Sequence, residues 1–411
     1  MSSTIEQLMC VTANAGIPIL TRHIGAEPLA FPVMGSLNGV DMFAQNHGVR
    51  IVNTRAGRAK IVWRIYKDSI KLIIISKESN MTDFQLHILM DNVFNSMVLL
   101  MGLSELEVVK NVDRLKKDLR RSTSLIDNLL RGASSFGSVT QCADIIACNS
   151  TDTSILQNNL DAFVSACGSD FGCLLVHGKI IVATEKWWQL LPSETMLLLL
   201  LLRSVPPASA RDFPIYLPHG SPNIPHRLMT MEILEGIEAC VICGPEPLLQ
   251  HVLENHVSKY WQSVTNSLQI CLRSHPRNLP SSTVLDKSII GFILINVEEG
   301  KCLASIYPHG RMTGSEGMTN NQRREALLQF YLSVVGTAFQ PEDDEVTDDP
   351  IPECKFSDEI SETYVCAEQH KLYATQWDYY QVFVLFAKDT PTYALDTLTQ
   401  RTFRPFKDNF I

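Results

Sequence analysis

Three short clusters carry residue types from which an active centre could be built, and each fails on spacing. Gly172 to Lys179 has the glycines and lysine of a phosphate-cradling loop, whose backbone amides and amine would neutralise a nucleotide's phosphates. Five residues rather than four separate Gly172 from Gly178, and Ile180 stands where a magnesium-binding hydroxyl is needed. Lys179 also reads as the far side of a hairpin turn at His177-Gly178, so no helix N-terminus is there to receive an anion. His251-Val-Leu-Glu-Asn-His256 could offer two imidazoles to zinc. Its histidines are five apart, however, and the glutamate of a zinc-protease helix is out of place. Cys240-Val-Ile-Cys243 is half a thiolate site without a second pair, inside an alternating run that reads as a buried strand. His219 and His226 fall in a proline-rich stretch where turn packing accounts for them. Neither a G-x-S-x-G elbow nor a kinase set occurs. No catalytic residue, metal ligand or cofactor is therefore assigned, and the chain is expected to work by binding.

Two segments carry binding chemistry. The block Gly35 to Asn46, GSLNGVDMFAQN, has Met34, Leu37, Asp41 and Met42–Phe43 at helical spacing, which predicts a short helix laid on a sheet. Gly35 and Gly39, four apart, line one face. They serve either close packing of that helix on the sheet or close approach of a partner's backbone. Gly35, Leu37, Asn38, Gly39, Met42 and Phe43 are the candidate partner-contact residues. The second segment is a helix predicted over Val108–Leu129, where Val108, Val112, Leu115, Leu119, Ile126 and Leu129 form one stripe. Lys116, Lys117, Arg120 and Arg121 lie opposite, with Lys110, Arg114 and Arg131, diluted by Asp113 and Asp127. This face is either ordinary solvated surface or a contact for phosphoinositide headgroups or an acidic partner. Arg55, Arg58 and Lys60, around a turn at Ala56-Gly57, are a second candidate for the same contact.

Charge distribution singles out the same third of the chain. Residues 1–140 hold 16 Lys and Arg against 12 Asp and Glu, while the whole protein carries a net charge of −9. Within 50–71, seven basic residues face the single acid Asp68. An anionic surface would meet this third first. Nucleic acid is not expected as a partner, because the protein is acidic overall and no aromatic stacking motif accompanies the basic residues.

The elements that must position these residues repeat three times. At 411 residues, 45% hydrophobic and 19% charged, the chain is globular and long enough for several cores. The first unit, 1–140, reads as a hairpin (Gln7–Ala15, Pro18–His23), the Gly35 helix, strands at Val49–Arg55, Lys60–Tyr66 and Ser69–Ser76, and two helices. The first of those helices opens on a capping box, Thr82-Asp-Phe-Gln85. The second unit, 141–280, has a helix at Ser154–Ala166, a hairpin at Gly172–Val176 and Lys179–Thr184, and a buried helix at Ser193–Leu202. Strands at Leu228–Leu234 and Glu238–Cys243 and a helix over Pro247–Leu272 follow. Pro206 to Pro225, with six prolines, is expected to be irregular. The third unit, 281–411, has a hairpin at Ile289–Val297 and Lys301–Tyr307 and a helix capped by Thr319. It continues with an acidic loop at 340–352, three further strands and a final helix near Tyr393–Arg401. The fold class expected is α/β, with three tandem small domains, each a mainly antiparallel sheet flanked by helices.

No basic-then-apolar leader opens the sequence, and Met196–Leu202 is too short to cross a bilayer, so a soluble cytoplasmic protein is expected. The sequons at Asn80 and Asn149 are then chance matches. The eleven cysteines, an odd number set mostly in apolar strands, are expected to be reduced.

GSLNGVDMFAQN at 35–46, NVDRLKKDLR at 111–120, ATEKWW at 183–188 and ARDFPIYLPHGSPNIPHRL at 210–228 resemble the Fuzzy family of planar cell polarity and ciliogenesis proteins. The resemblance runs nearly end to end and is weakest around the acidic loop. It implies three longin domains and a heterodimer with an Inturned-like longin protein. It further implies a WD-repeat planar polarity effector as a third subunit, and engagement of a Rab-like small GTPase at the ciliary basal body and cytoskeleton. The family supplies no catalytic residue to carry over. The function implied is a non-catalytic adaptor and exchange-factor subunit. A pure recruitment scaffold and a phosphoinositide-binding targeting module are the alternatives. Trp187 and Trp188 are read as core or inter-domain packing before docking.

Overall fold

The computed structural model describes residues 5–25, 27–77, 81–132, 136–310, 318–339 and 360–407. The acidic loop at 340–352 and Asn80 lie outside them.

The first unit is built on strands β1 (Ile5–Thr12), β2 (Pro18–His23), β3 (Asn53–Ala56), β4 (Ala59–Tyr66) and β5 (Ile70–Lys77), all antiparallel, in the order β2-β1-β5-β4-β3. Central β5 is buried on both faces up to Ser76, so its side chains divide between two layers. Ile70, Leu72 and Ile74 face helix α2 (Asp83–Met101), while Ile73 and Ile75 face helix α1 (Phe31–Asn46). Thr82 opens α2 with the expected capping box: its hydroxyl accepts from Gln85 N at 3.3 Å, and its own N–H donates to Gln85 Oε1 at 2.9 Å. The predicted second helix is divided. One turn, Ser104–Glu107, is followed by α3 (Val112–Asp118), a 3-10 turn at Leu119–Ser122 and α4 (Thr123–Arg131). Val108 lies in extended backbone before the helix, because Asn111 caps α3 by accepting from Arg114 N at 3.0 Å.

The second sheet, in the order β8-β7-β11-β10-β9, contains β7 (Phe171–Val176), β8 (Lys179–Ala183), β9 (Ala210–Leu217), β10 (Ser221–Leu234) and β11 (Ile237–Cys243). Helix α5 (Ser150–Ala166) covers one face and α6 (Pro192–Ser204) the other. The expectation of irregular structure at 206–225 is corrected, since β9 and the start of β10 occupy it. Pro214 is accommodated because β9 is the outermost strand, and Pro222 and Pro225 because the β9–β10 register shifts between Ser221 and His226. The helix after β11 runs as short segments, including a π turn at Leu253–Val257, and ends in α7 (Thr265–Arg273).

The third sheet combines β12 (Ile289–Asn296), β13 (Lys301–Ser305), β14 (Glu362–Cys366), β15 (His370–Trp377) and β16 (Tyr380–Ala387), with α8 (Asn320–Val335) on one face and α9 (Leu395–Lys407) on the other. Its sixth strand comes from far upstream: β6 (Ala143–Asp144) pairs in parallel with β13. The next residue, Ile145, bridges to Ile180 in the second sheet. One continuous core draws on all three units, joining Leu99, Leu125 and Ile126 to Leu197, Leu201, Leu294 and Phe403. Polar ties cross the same seams, with Gln85 Nε2 donating to Leu332 O at 2.8 Å and Leu103 N to Pro222 O at 2.8 Å.

Candidate functional site

Helix α1 carries Pro at its first turn, where a missing N–H costs nothing. Met34 and Leu37 on its underside pack against Met9, Val11, Ile61, Trp63, Ile73 and Ile75. Between them sits an ion pair absent from the sequence reading. Lys71 of β5, 0% exposed, is paired with Asp41 of α1, 1% exposed. Lys71 Nζ also donates to Asn38 Oδ1 at 3.1 Å, and Gln45 Nε2 donates to Asp41 Oδ2 at 2.8 Å. Gly16, with φ +64°, lets the β1–β2 turn pass under Asn38, where a Cβ would meet Nδ2 at 1.9 Å.

The rest of α1 is largely apolar and uncovered. Phe31 is 73% exposed and Phe43 68%, with Val33, Val40 and Met42 also exposed. A Cβ at Gly35 or Gly39 would meet nothing within 4 Å, so neither glycine packs on the sheet. The helix-on-sheet explanation of those glycines is thereby overturned: the sheet-facing positions are Met34, Leu37, Asn38 and Asp41. Of the six candidate contact residues, Gly35, Gly39, Met42 and Phe43 face outward; Leu37 and Asn38 are turned inward. In the same sheet, all four residues of β3 are exposed, and among the described residues its outer edge has no strand partner.

The basic candidates do not form one patch. Arg55 and Arg58 are exposed at the β3–β4 turn, whereas Lys60 is bound to Asp83 at 2.5 Å and donates to Met81 O at 3.4 Å. On α3 and the turn after it, Lys116 pairs with Asp113 at 3.8 Å and Arg114 with Asp118 at 3.6 Å. Lys117, Arg120 and Arg121 are exposed, and their side chains make no hydrogen bond or ion pair among the described residues. Asp127 is drawn off to Arg22 Nε at 2.7 Å and does not neutralise this face. Helix α3 packs beside β2, at the sheet edge opposite β3, so the two clusters stand about 19 Å apart or more across four strand spacings.

The clusters that fail on spacing fail on placement too. Cys240 and Cys243 point into different cores from opposite faces of β11. His251 and His256 lie edge to face, 5.4 Å apart, and among the described residues no group of three His, Cys, Asp or Glu could hold a metal. Lys179 lies at the seam of the second and third units, near Asp144, Arg203 and Arg324, and burial pushes its amine down to about 8. Arg203 Nη1 donates to Asp144 Oδ2 at 2.9 Å and its Nη2 to Gly178 O at 2.6 Å. Trp187 is fully buried, and Trp188 receives Lys301 Nζ 4.7 Å from its ring centre across the same seam. Both tryptophans therefore pack. Among the described residues, no helix is long and apolar enough to cross a membrane.

Three successive sheets with this helix arrangement correspond to three family descriptions: the first longin domain of FUZ, MON1 and HPS1 over residues 6–129, the second over 167–262 and the third over 288–410. The chain is a tri-longin protein, an organisation consistent with a longin-domain adaptor. Over 98% of both chains it is 38% identical to the protein fuzzy homolog of Xenopus tropicalis, and over 96% of both to that of Homo sapiens, also at 38%. It belongs to the Fuzzy family.

Proposed function

We propose that the chain is a non-catalytic exchange-factor subunit for a Rab-like small GTPase, working as a heterodimer with an Inturned-like longin protein. A WD-repeat planar polarity effector completes the complex at the ciliary basal body, in ciliogenesis and planar cell polarity. The observation that supports this most is the outer side of α1. Two large aromatic residues, exposed valines and two glycines with open space above them lie on a helix that packs on the sheet ending in β3, whose outer edge has no strand partner among the described residues. Exposed apolar surface of this kind is characteristic of protein interaction sites. Exchange needs no nucleophile. It needs a surface that binds the nucleotide-free GTPase better than the loaded one, and so shifts its switch segments.

The test measures release of a fluorescent nucleotide from the GTPase by this chain alone, by the partner alone and by the pair. Acceleration by the pair only is the expected result. Binding of the GTPase by the pair with no change in release would replace exchange by recruitment. A second reading, attraction to phosphoinositide headgroups, is favoured by the unpaired Lys117, Arg120 and Arg121.

A further inference from the structure

Helix α1 is apolar on more than one side, and the stripe it buries is not its most apolar one. At 100° per residue, Val33, Leu37, Val40 and Ala44 fall on one face, all aliphatic, about 80° round from the sheet-facing set Met34, Leu37, Asn38 and Asp41. Apolar burial is non-directional, so it would favour rolling the helix to bury the aliphatic stripe. That roll would expose Asp41, the only charged residue in Phe31–Asn46, and leave Lys71 alone in the interior. A buried lysine stripped of its counter-charge is far costlier than a few misplaced methyl groups.

We propose that the Asp41–Lys71 pair, with Asn38 and Gln45, sets the rotational register of α1 and so decides which apolar residues the partner meets. These are positioning residues, and the inference rests on the outer side of α1 being the partner surface. Val33 and Val40 are held outward against their burial preference, together with Phe43, by one directional contact about a quarter-turn round the helix.

The experiment replaces the pair by apolar residues of similar size, Asp41→Leu with Lys71→Met, in the full chain. Register is read by alkylation of an introduced cysteine, Val40→Cys, followed on its own peptide by mass spectrometry. With the native pair the 40 position is exposed and reacts freely; in the apolar-pair background we expect about tenfold slower reaction at unchanged melting temperature. Association with the immobilised Inturned-like partner should slow by a similar factor with dissociation unchanged, because only the competent fraction binds. The reversed pair, Asp41→Lys with Lys71→Asp, should restore both rates. Equal alkylation in the two backgrounds, or failure of the reversed pair to restore it, would overturn the proposal. Should the apolar pair not fold, Asp41→Asn, which keeps the side-chain volume and removes the charge, carries the same two readouts. Phe43→Asp separates the readings: if it leaves binding intact, the surface itself is misassigned, whereas lost binding with unaltered register behaviour refutes only the ion pair's role.

Discussion

Replacing both Gly35 and Gly39 by alanine should stabilise the free chain and weaken the assembled one. Each glycine sits inside a helix with ordinary negative φ, and a methyl group at either position points into open space, so no steric cost arises. Glycine costs a helix about 0.5–1 kcal/mol relative to alanine, so the double change contributes about 1–2 kcal/mol to keeping α1 formed. The assay is amide hydrogen exchange on the peptides of this helix, which reads its local opening. Slowing by roughly 5–30-fold is expected. Unchanged or faster exchange would refute the reasoning, since it would mean that the glycine side is packed against something. In the second arm, affinity for the longin partner and the nucleotide-free GTPase is measured with the same variant. A loss of about tenfold is expected if a partner's backbone approaches the glycines, and the stabilised helix rules out misfolding as its cause. Unaltered affinity would confine the contact to Phe43 and its apolar neighbours.

Trp187→Ala should destabilise the chain by about 3–5 kcal/mol in denaturant titration, with no direct effect on a partner, because the ring is fully enclosed. The triple variant Lys117→Glu, Arg120→Glu, Arg121→Glu should weaken co-sedimentation with phosphoinositide vesicles by two orders of magnitude or more, at about 1 kcal/mol per basic residue; equal binding would return this face to ordinary solvated surface. Lys179, whose amine is pushed below its ordinary value to about 8, is a burden while charged. Between about pH 8 and the unfolded value near 10.5 the unfolded chain holds the extra proton, so this group makes stability rise with pH over that window. Lys179→Met should flatten the rise in chemical denaturation curves and stabilise the protein at pH 7.

Local signals were legible where local contacts decide the structure. Both capping boxes, at Thr82 and Thr319, form as read, since their partners lie three residues away. The strands around Ile70–Ile75 were equally plain, from alternation and β-branching. Prolines at 214, 222 and 225 misled because their tolerance depends on which strand lies at the sheet's edge, a fact of long-range pairing. The division of the helix predicted over Val108–Leu129 was signalled by Asn111, a good cap that the apolar stripe outweighed. The site was half legible. Gly35, Gly39 and Phe43 do face outward, but Leu37 and Asn38 do not, and Phe31, Val33 and Val40 were missed. The signal for the buried pair was present as well: one lysine within the otherwise apolar run Ile70–Ile75, and one acid in a helix without other charges. What the sequence withheld was that the two meet, thirty residues apart.

The two-residue strand β6 has a consequence for how this chain can be taken apart. A length of polypeptide between the first and second units hydrogen-bonds to the third unit's sheet through Ala143 and Asp144, and to the second unit's sheet one residue later. The order of units along the gene is therefore not an order of detachable parts. A cut at 140, the natural place to separate the first unit by sequence, leaves that stitch with both sheets it joins. A cut at 280 divorces it from the sheet it completes. Exchanging a single unit with a relative would have to carry the stitch and its receiving strand together. The second and third repeats have in this way become one indivisible piece, and a lesion at 143–145 should be felt in both of their sheets at once.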